Sequence, residues 1–318
     1  MTLLLRKLSV IIFWIVSWWV SRMSSKDVLY SFIVITYKRD DILPEQFSVL
    51  KNIDSSGLME VVFVDNNEDE IDRSILISDF KFNRYVKLYK NLGVTGGRNA
   101  GIKAASGKYL VFLDDDAIFV DPEKLLNQLN VSFSNPKIAA VAFKSINYYT
   151  RAMASWEFPH ADKNKMNLQS FYTYQFIGVG HAIDRDWLGD FLYDESYFYS
   201  MEEFDLCFWL INKGGVIMYN SDISVLHKID QSGRITPQRK HEKQLSNKMK
   251  NNYKYLPVGL MLFSSGAWMF YTLLKTKSLL SVLRGTREFI GWKKSGAKRT
   301  VLTKEAMRYL RSVGANLV

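Results

Sequence analysis

The sequence predicts an α/β fold, a mostly parallel sheet flanked by helices. Short apolar, β-branched runs at residues 30–36 (YSFIVIT), 60–64 (EVVFV), 109–113 (YLVFL) and 138–143 (IAAVAF) read as buried strands. Helical start and stop signals lie between them, and strands that alternate with helices pair mostly in parallel. Polar residues close the strands: Thr36-Tyr37 after the first, Asp65-Asn66-Asn67 after the second, Asp114-Asp115-Asp116 after the run at 109–113. Ligands of open α/β sheets sit at the carboxyl ends of strands, so one edge is the expected site.

Each element has its own signal. Residues 8–20 (LSVIIFWIVSWWV) are uncharged but shorter than the ~20 residues a spanning helix needs. Arg6 and Lys7 precede them and no Ala-x-Ala cleavage site follows, while Trp14, Trp18 and Trp19 favour an interfacial segment or short anchor over a signal peptide; a packing helix is the alternative. A globular domain starts at residue 30. Its first strand is followed by a polar loop (Tyr37-Lys-Arg-Asp-Asp) and a helix opening at Pro44. Residues 86–89 read as a third strand. A glycine-rich turn (Gly93, Gly96, Gly97) then leads into a helix over about residues 98–105, with Gly107 as its left-handed C-terminal stop. Asp121-Pro-Glu opens a further helix, with Asp at the cap and Pro at the first position. Residues 144–170 carry aromatics and lysines but no legible motif.

The acid run at 114–116 is the chemical centre of this reading. Ionised carboxylates are costly to bury without a partner. A hard divalent cation carrying a substrate diphosphate is a natural partner, because Mg²⁺ and Mn²⁺ prefer carboxylate and phosphate oxygens. In isolation the same run reads as a solvated acidic turn or a helix cap.

The 318 residues suffice for one large α/β domain and an appendage, and the net charge of +10 is unevenly spread. Residues 234–318 hold 18 Lys and Arg against 3 acids; residues 1–233 hold 24 against 29. An acidic body with a basic tail excludes a nucleic-acid-binding core and points to an anionic surface near the C-terminus, a phospholipid membrane or a polyprenyl-phosphate acceptor. Residues 256–274 are uncharged and near spanning length, but Pro257, Gly259, Gly266 and two serines lower their hydrophobicity. Lys275, Lys277, Arg284 and Arg287 interleave with Leu279, Leu280, Val282, Leu283, Phe289 and Ile290, the pattern of a basic amphipathic helix lying on a bilayer. The lone Cys207 excludes an intrachain disulfide and suits a reducing compartment. The expected division is a hydrophobic N-terminal segment (1–29), a catalytic domain (30–233) and a basic, helical, membrane-associating region (234–318).

Asn91-Leu-Gly-Val-Thr-Gly-Gly-Arg-Asn, followed by a helix, Ser106-Gly and a strand ending in Asp-x-Asp, resembles the donor site of family 2 inverting glycosyltransferases of the GT-A fold. The second half extends the resemblance. Phe176-Ile-Gly-Val-Gly-His-Ala-Ile-Asp looks like the family's glycine-containing acceptor-side strand, and Tyr193-Asp-Glu-Ser-Tyr-Phe is similar to its Phe-Asp-Glu motif. Met201-Glu-Glu-Phe-Asp-Leu resembles its Glu-Asp-x-Asp-Leu signature, with Glu203 where the family usually has Asp; Lys213-Gly-Gly-Val-Ile-Met-Tyr and Val225-Leu-His227 complete the set. Similarity is strongest to bacterial rhamnosyl-, galactofuranosyl- and glucosyltransferases of polysaccharide assembly.

The resemblance implies inverting transfer of a sugar from a nucleotide-diphosphate donor to a hydroxyl of a glycan or polyprenyl-linked glycan. It assigns Thr36, Tyr37, Arg39, Asp65, Gly96, Gly97, Arg98, Asn99 and Asp114 to the nucleotide sugar. Asp116 and His227 become ligands of Mn²⁺ or Mg²⁺, with Asp115 between the two roles. Gly178, Gly180, His181, Glu202 and Asp205 fall on the acceptor side, and Glu203 is the general base. Two other classes share part of the pattern. A nucleotidyltransferase would need a glycine-rich phosphate loop after the first strand, and Thr36-Tyr-Lys-Arg-Asp-Asp has no glycine. A non-catalytic glycan- or membrane-binding protein has no need of two acid clusters. The expected location is the cytoplasmic face of the cell membrane, peripheral or shallowly anchored.

Overall fold

The computed structural model describes residues 28–53, 57–229 and 235–317, so the apolar run at 8–20 lies outside the described residues. One sheet organises them. Its strands are β1 (Tyr30–Thr36), β2 (Met59–Asp65), β3 (Asn83–Lys87), β4 (Tyr109–Asp114), β5 (Ala117–Phe119), β6 (Ile138–Asn147), β7 (Ser170–Thr173), β8 (Gly180–Asp184) and β9 (Val216–His227). They run in the order β3-β2-β1-β4-β8-β6-β9-β5, with β7 also on β9. The strands β3, β2, β1 and β4 are parallel, as expected. Beyond β4 the sheet is mixed, because β8 runs antiparallel to both neighbours and β5 and β7 run antiparallel to β9.

Central parallel strands are apolar throughout because both faces are covered. Along β1, Phe32 and Val34 enter one core with Phe47, Phe63, Leu125 and Leu129, while Ile33 enters the other with Val62, Ile102 and Phe112. The first core is roofed by α1 (Leu43–Lys51) and α3 (Pro122–Ser132), the second by α2 (Gly93–Ala104) and α5 (Glu202–Asn212). The short α4 (Arg185–Leu188) follows β8.

Three local expectations are corrected. The third strand is displaced towards the N-terminus, to Asn83–Lys87; it is a half-exposed edge strand, so no apolar run marks it. The glycine-rich segment is the first turn of α2 rather than a loop before it. A Cβ on Gly97 would come within 2.6 Å of Ile35, so this glycine brings the helix down onto β1, while one on Gly96 would strike Leu92 at the helix's own N-cap. Gly107 is no helix stop, since α2 is capped at Ala105. It lies against β1, where its N–H donates to Ser31 Oγ at 2.8 Å.

The C-terminal region comprises α6 (Pro237–Tyr255), α7 (Val258–Thr276), α8 (Leu279–Lys294) and α9 (Lys304–Ser312). It divides its attachments. Leu302, Ala306 and Leu310 complete the core beneath α5, and Leu245, Met249 and Val282 form a small core between α6 and α8. No described helix is long and apolar enough to cross a membrane.

Candidate active site

Register brings the expected strand ends together: Thr36 lies opposite Asp65, and Ile35 opposite Asp114. Gln46 of α1 donates to the backbone oxygens of Asp114 (2.6 Å) and Ala117 (2.9 Å), fixing the chain on both sides of the acids. Ala117 pairs with His227, which sets the end of β9 beside Asp116. The result is a cleft of about 420 Å³ along the carboxyl edge.

On its first wall, Asp115 accepts from Thr36 Oγ1 (2.8 Å), the Tyr37 amide (3.3 Å) and Arg39 (2.6 Å). Burial pushes its carboxyl up to about 7, against the opposing pull of Arg39. Asp115 therefore braces the Thr36–Arg39 loop. Arg39 also reaches Asp116 at 2.8 Å. Asp114 is the open acid of the three, with a side chain 43% exposed.

His227 lies between two carboxylates, with Nε2 3.4 Å from Asp116 and Nδ1 2.8 Å from Glu157. Burial opposes its positive charge, yet the hydrogen bonds and charges of Asp116 and Glu157 carry its pKa up to about 10. A metal-bound histidine characteristically gives its other nitrogen to a carboxylate. The Asp116–His227–Glu157 line would fit that arrangement once a divalent cation on Nε2 and Asp116 takes the place of the proton that Asp116 draws to Nε2. Among the described residues no three acids, histidines or cysteines converge as a closed cage. A Mg²⁺ or Mn²⁺ ion here would therefore need substrate phosphates to complete its shell.

The opposite wall begins at the N-terminus of α5. Glu202 is buried and accepts from Arg98 Nη1 at 3.0 Å. Arg98 also approaches the Gly178 carbonyl (3.4 Å) and Asp114 (3.9 Å), so one guanidinium spans both walls. Glu203 lies over Gly178, where a Cβ would meet its carboxylate at 2.5 Å. Burial and the charge of Glu202 push its pKa up to about 8, against Arg98.

The cleft thus gathers Thr36, Tyr37, Arg39, Arg98, Asp114, Asp115, Asp116, Gly178, Glu202, Glu203 and His227 from the expected set. Seven expected residues lie elsewhere, each for a packing reason. Asp65 is fully buried and held by Tyr85, Lys87, Arg73 and Asn67; its neighbour Asn66 reaches the cleft instead. Gly96 and Gly97 face Leu92 and Ile35. Asn99 exchanges hydrogen bonds with the Tyr193 backbone. Gly180 abuts Phe143 and Val225, and His181 is fully buried in a stack between Phe112 and Phe176. Asp205, on the same helix as the two glutamates, points away to Lys254 and to the Tyr255 hydroxyl at 2.7 Å.

The cleft also has lining residues that the sequence did not mark. Trp156, 75% exposed, and Glu157 come from the motif-free stretch, and Lys240 and Gln244 come from α6. Neither contribution has a local pattern; Glu157 is placed by His227 and Gln244 by Ser200, both distant in sequence.

A family model for glycosyl transferase family 2 matches residues 31–192. The chain belongs to that family. An uncharacterised protein of Haemophilus influenzae is 35% identical over 162 residues, 49% of this chain and 86% of the relative. A GalNAc(5)-diNAcBac-PP-undecaprenol β-1,3-glucosyltransferase of Campylobacter jejuni is 31% identical over 90 residues, 27% of this chain and 29% of the relative. The matched part is thus well under half of either chain. Among solved structures, a mannosyltransferase of Pyrobaculum calidifontis with GDP-Man and Mn²⁺ superimposes with a TM-score of 0.55 at 14% identity, covering 89% of this chain and 78% of that one. S. aureus TarS residues 1–349 with UDP gives 0.52 at 16% identity, covering 71% and 65%. These likenesses establish the GT-A fold for this family 2 member.

Proposed function

We propose that this family 2 glycosyltransferase moves a sugar from a nucleotide-diphosphate sugar to a hydroxyl of a glycan or lipid-linked glycan, with inversion, in bacterial surface polysaccharide assembly. One observation carries the reading: Glu203 shares a cleft with Asp114, Asp116 and His227, on the opposite wall. That division suits a single displacement. Glu203 takes the proton of the acceptor hydroxyl, the oxygen attacks the anomeric carbon, and the bond to the diphosphate breaks on the far face. Thr36, Tyr37, Arg39 and Asp114 hold the donor. Asp116 and His227 hold Mn²⁺ or Mg²⁺, which when bound neutralises the leaving diphosphate as a Lewis acid. Support for a nucleotide-sugar donor comes from the GDP-Man and UDP in the two structural neighbours, and for a lipid-linked acceptor from the name of the Campylobacter relative.

The membrane face of this reading is α7–α8. Val258, Leu262, Phe263, Phe270 and Leu274 are exposed on α7, and Leu279, Leu280, Leu283 and Ile290 on α8, beside Lys275, Lys277, Arg284 and Arg287. Exposed apolar side chains interleaved in sequence with cations match an anionic bilayer surface, and we place the enzyme peripherally on its cytoplasmic side. Incubating the protein with a panel of nucleotide sugars, with Mn²⁺ or EDTA, and measuring nucleotide release tests the donor class. No release from any of them in the presence of metal overturns the reading.

A further inference from the structure

The turn leading into Glu202 and Glu203 is strained. Phe198, Ser200 and Met201 have φ of 53°, 71° and 68°, so three non-glycine residues out of four are left-handed. None is Asn or Asp, the residues that tolerate this region best. Such backbone persists only where its surroundings over-determine it. Met201 is also the N-cap of α5, so its conformation sets the direction in which the two glutamates leave.

Most of those surroundings come from α6. The Asn247 side-chain amide donates to the carbonyls of Tyr197 (2.9 Å), Tyr199 (3.1 Å) and Ser200 (2.8 Å). Asn251 donates to the Met201 carbonyl (2.9 Å) and accepts from the Tyr197 hydroxyl (2.7 Å). Lys250 Nζ donates to the Ser196 carbonyl (2.8 Å). Just past the glutamates, Asp205 is held by Lys254 and Tyr255 at the other end of α6. One helix therefore grips the chain on both sides of Glu202–Glu203. It buries Asn247, Lys250 and Asn251 to do so, although polar side chains are costly to bury unless each finds a partner.

We propose that Asn247 and Asn251 are positioning residues for transfer, holding the strained turn so that Glu203 faces the acceptor hydroxyl. α6 thereby belongs to the catalytic apparatus, although it lies beyond the family-matched segment. The inference rests on Glu203 being the base. The groups facing that carboxyl are Glu202 and Cys207 on its own helix, Arg98 on α2, Asp114 at the end of β4 and Tyr193 in the loop before α5.

The test compares Asn247→Ala, Tyr197→Phe, Glu203→Gln and the double variant Asn247→Ala/Met201→Gly in the full chain. For each, kcat, nucleotide affinity, thermal midpoint and the pH profile of kcat/KM are measured. A base displaced by about 1 Å costs roughly 100-fold, so Asn247→Ala should lose about that much kcat with nucleotide affinity nearly unchanged. The midpoint of its pH profile should move from that of the parent as Glu203 shifts against Glu202 and Arg98. Tyr197→Phe deletes one hydroxyl and should shift both quantities the same way, less far. Glycine takes the left-handed conformation without steric cost, so adding Met201→Gly should restore part of the lost kcat. If Asn247→Ala and Tyr197→Phe lower only the thermal midpoint, keeping the parent's kcat and pH profile, α6 is merely structural and the proposal fails. Should Asn247→Ala not fold, Tyr197→Phe decides by the same two readouts. If Glu203→Gln transfers normally, the base assignment itself is wrong, whatever Asn247 does.

Discussion

Arg98 and Glu202 form a buried ion pair at 3.0 Å, both side chains 3% exposed. The pair ties α2, the helix of the donor wall, to the start of α5, and it engages Oε1 of Glu202. Breaking a buried pair leaves an uncompensated charge and typically costs about 3–5 kcal/mol. Arg98→Met should therefore lower unfolding free energy by that order in a denaturant titration. A loss below about 1 kcal/mol would show that the site relaxes around an unpaired Glu202.

The proposed base, Glu203, can be separated from its neighbours by substitution. Glu203→Gln keeps shape and removes basicity, so transfer should fall by roughly 100-fold or more while nucleotide affinity holds. Asp205→Asn should act mainly on stability, because its partners are Lys254 and Tyr255 outside the cleft. Transfer rates and thermal midpoints of both variants settle the division; an inactive but fully stable Asp205→Asn would move the role to that residue.

The pH dependence follows from the Glu203 pKa of about 8, raised by burial and Glu202. The reactive form is the carboxylate, so kcat/KM should climb as pH rises through about 8 and level off above it. Stability runs the other way. A carboxyl whose folded pKa exceeds its unfolded value of 4.5 loses its favourable contribution between those two values. Glu203→Gln should accordingly gain thermal midpoint over the parent at pH 8.5 but not at pH 4.5. A flat activity profile from pH 6 to 9 contradicts the assignment.

For the metal, Asp116→Ala should abolish the Mn²⁺-dependent part of nucleotide binding. Glu157→Gln, acting through His227, should weaken Mn²⁺ affinity by about 10–100-fold, the usual effect of an outer-sphere carboxylate. Titrating the nucleotide with and without Mn²⁺ measures both. Unchanged metal affinity in Glu157→Gln would leave His227 as a structural bridge.

Membrane association is best tested by substitution, because truncation after Tyr255 would also remove Leu302, Ala306 and Leu310 from the main core. Replacing Leu262, Phe263 and Phe270 with Ser on the exposed face of α7 should shift the protein off anionic vesicles in a sedimentation assay. The thermal midpoint should hardly change, since these side chains are already in solvent. Equal binding to neutral and anionic vesicles would remove the charged half of the surface, worth about 1 kcal/mol per basic residue.

The strands β1, β2, β4 and the first half of β6 were legible because buried parallel strands leave unbroken apolar runs, as in YSFIVIT. β3 was misplaced by three residues at its start because an edge strand such as Asn83–Lys87 needs no such run. Asp114, Asp116, Glu203 and His227, which all line the cleft, were legible as candidates because each sits where an element begins or ends and the chain must meet solvent or ligand. Glu157 and Trp156 were not, since the turn holding them repeats no pattern.

By itself the sequence determined the α/β layering, the edge on which the acids gather, and the kinship with family 2, all of which depend on local apolar runs and motif order. Tertiary structure alone decided which members of each motif reach the cleft. Asp65 and Asp205 carry the same carboxylate as Asp114 and Asp116, but Lys87 and Lys254 draw them into packing. It also decided that the polar stretch after residue 236 is a buried helix gripping the turn before Glu203. The physical reason is that a polar side chain signals solvent in one dimension; only in three can a run like Asn247, Lys250 and Asn251 find backbone carbonyls to satisfy it.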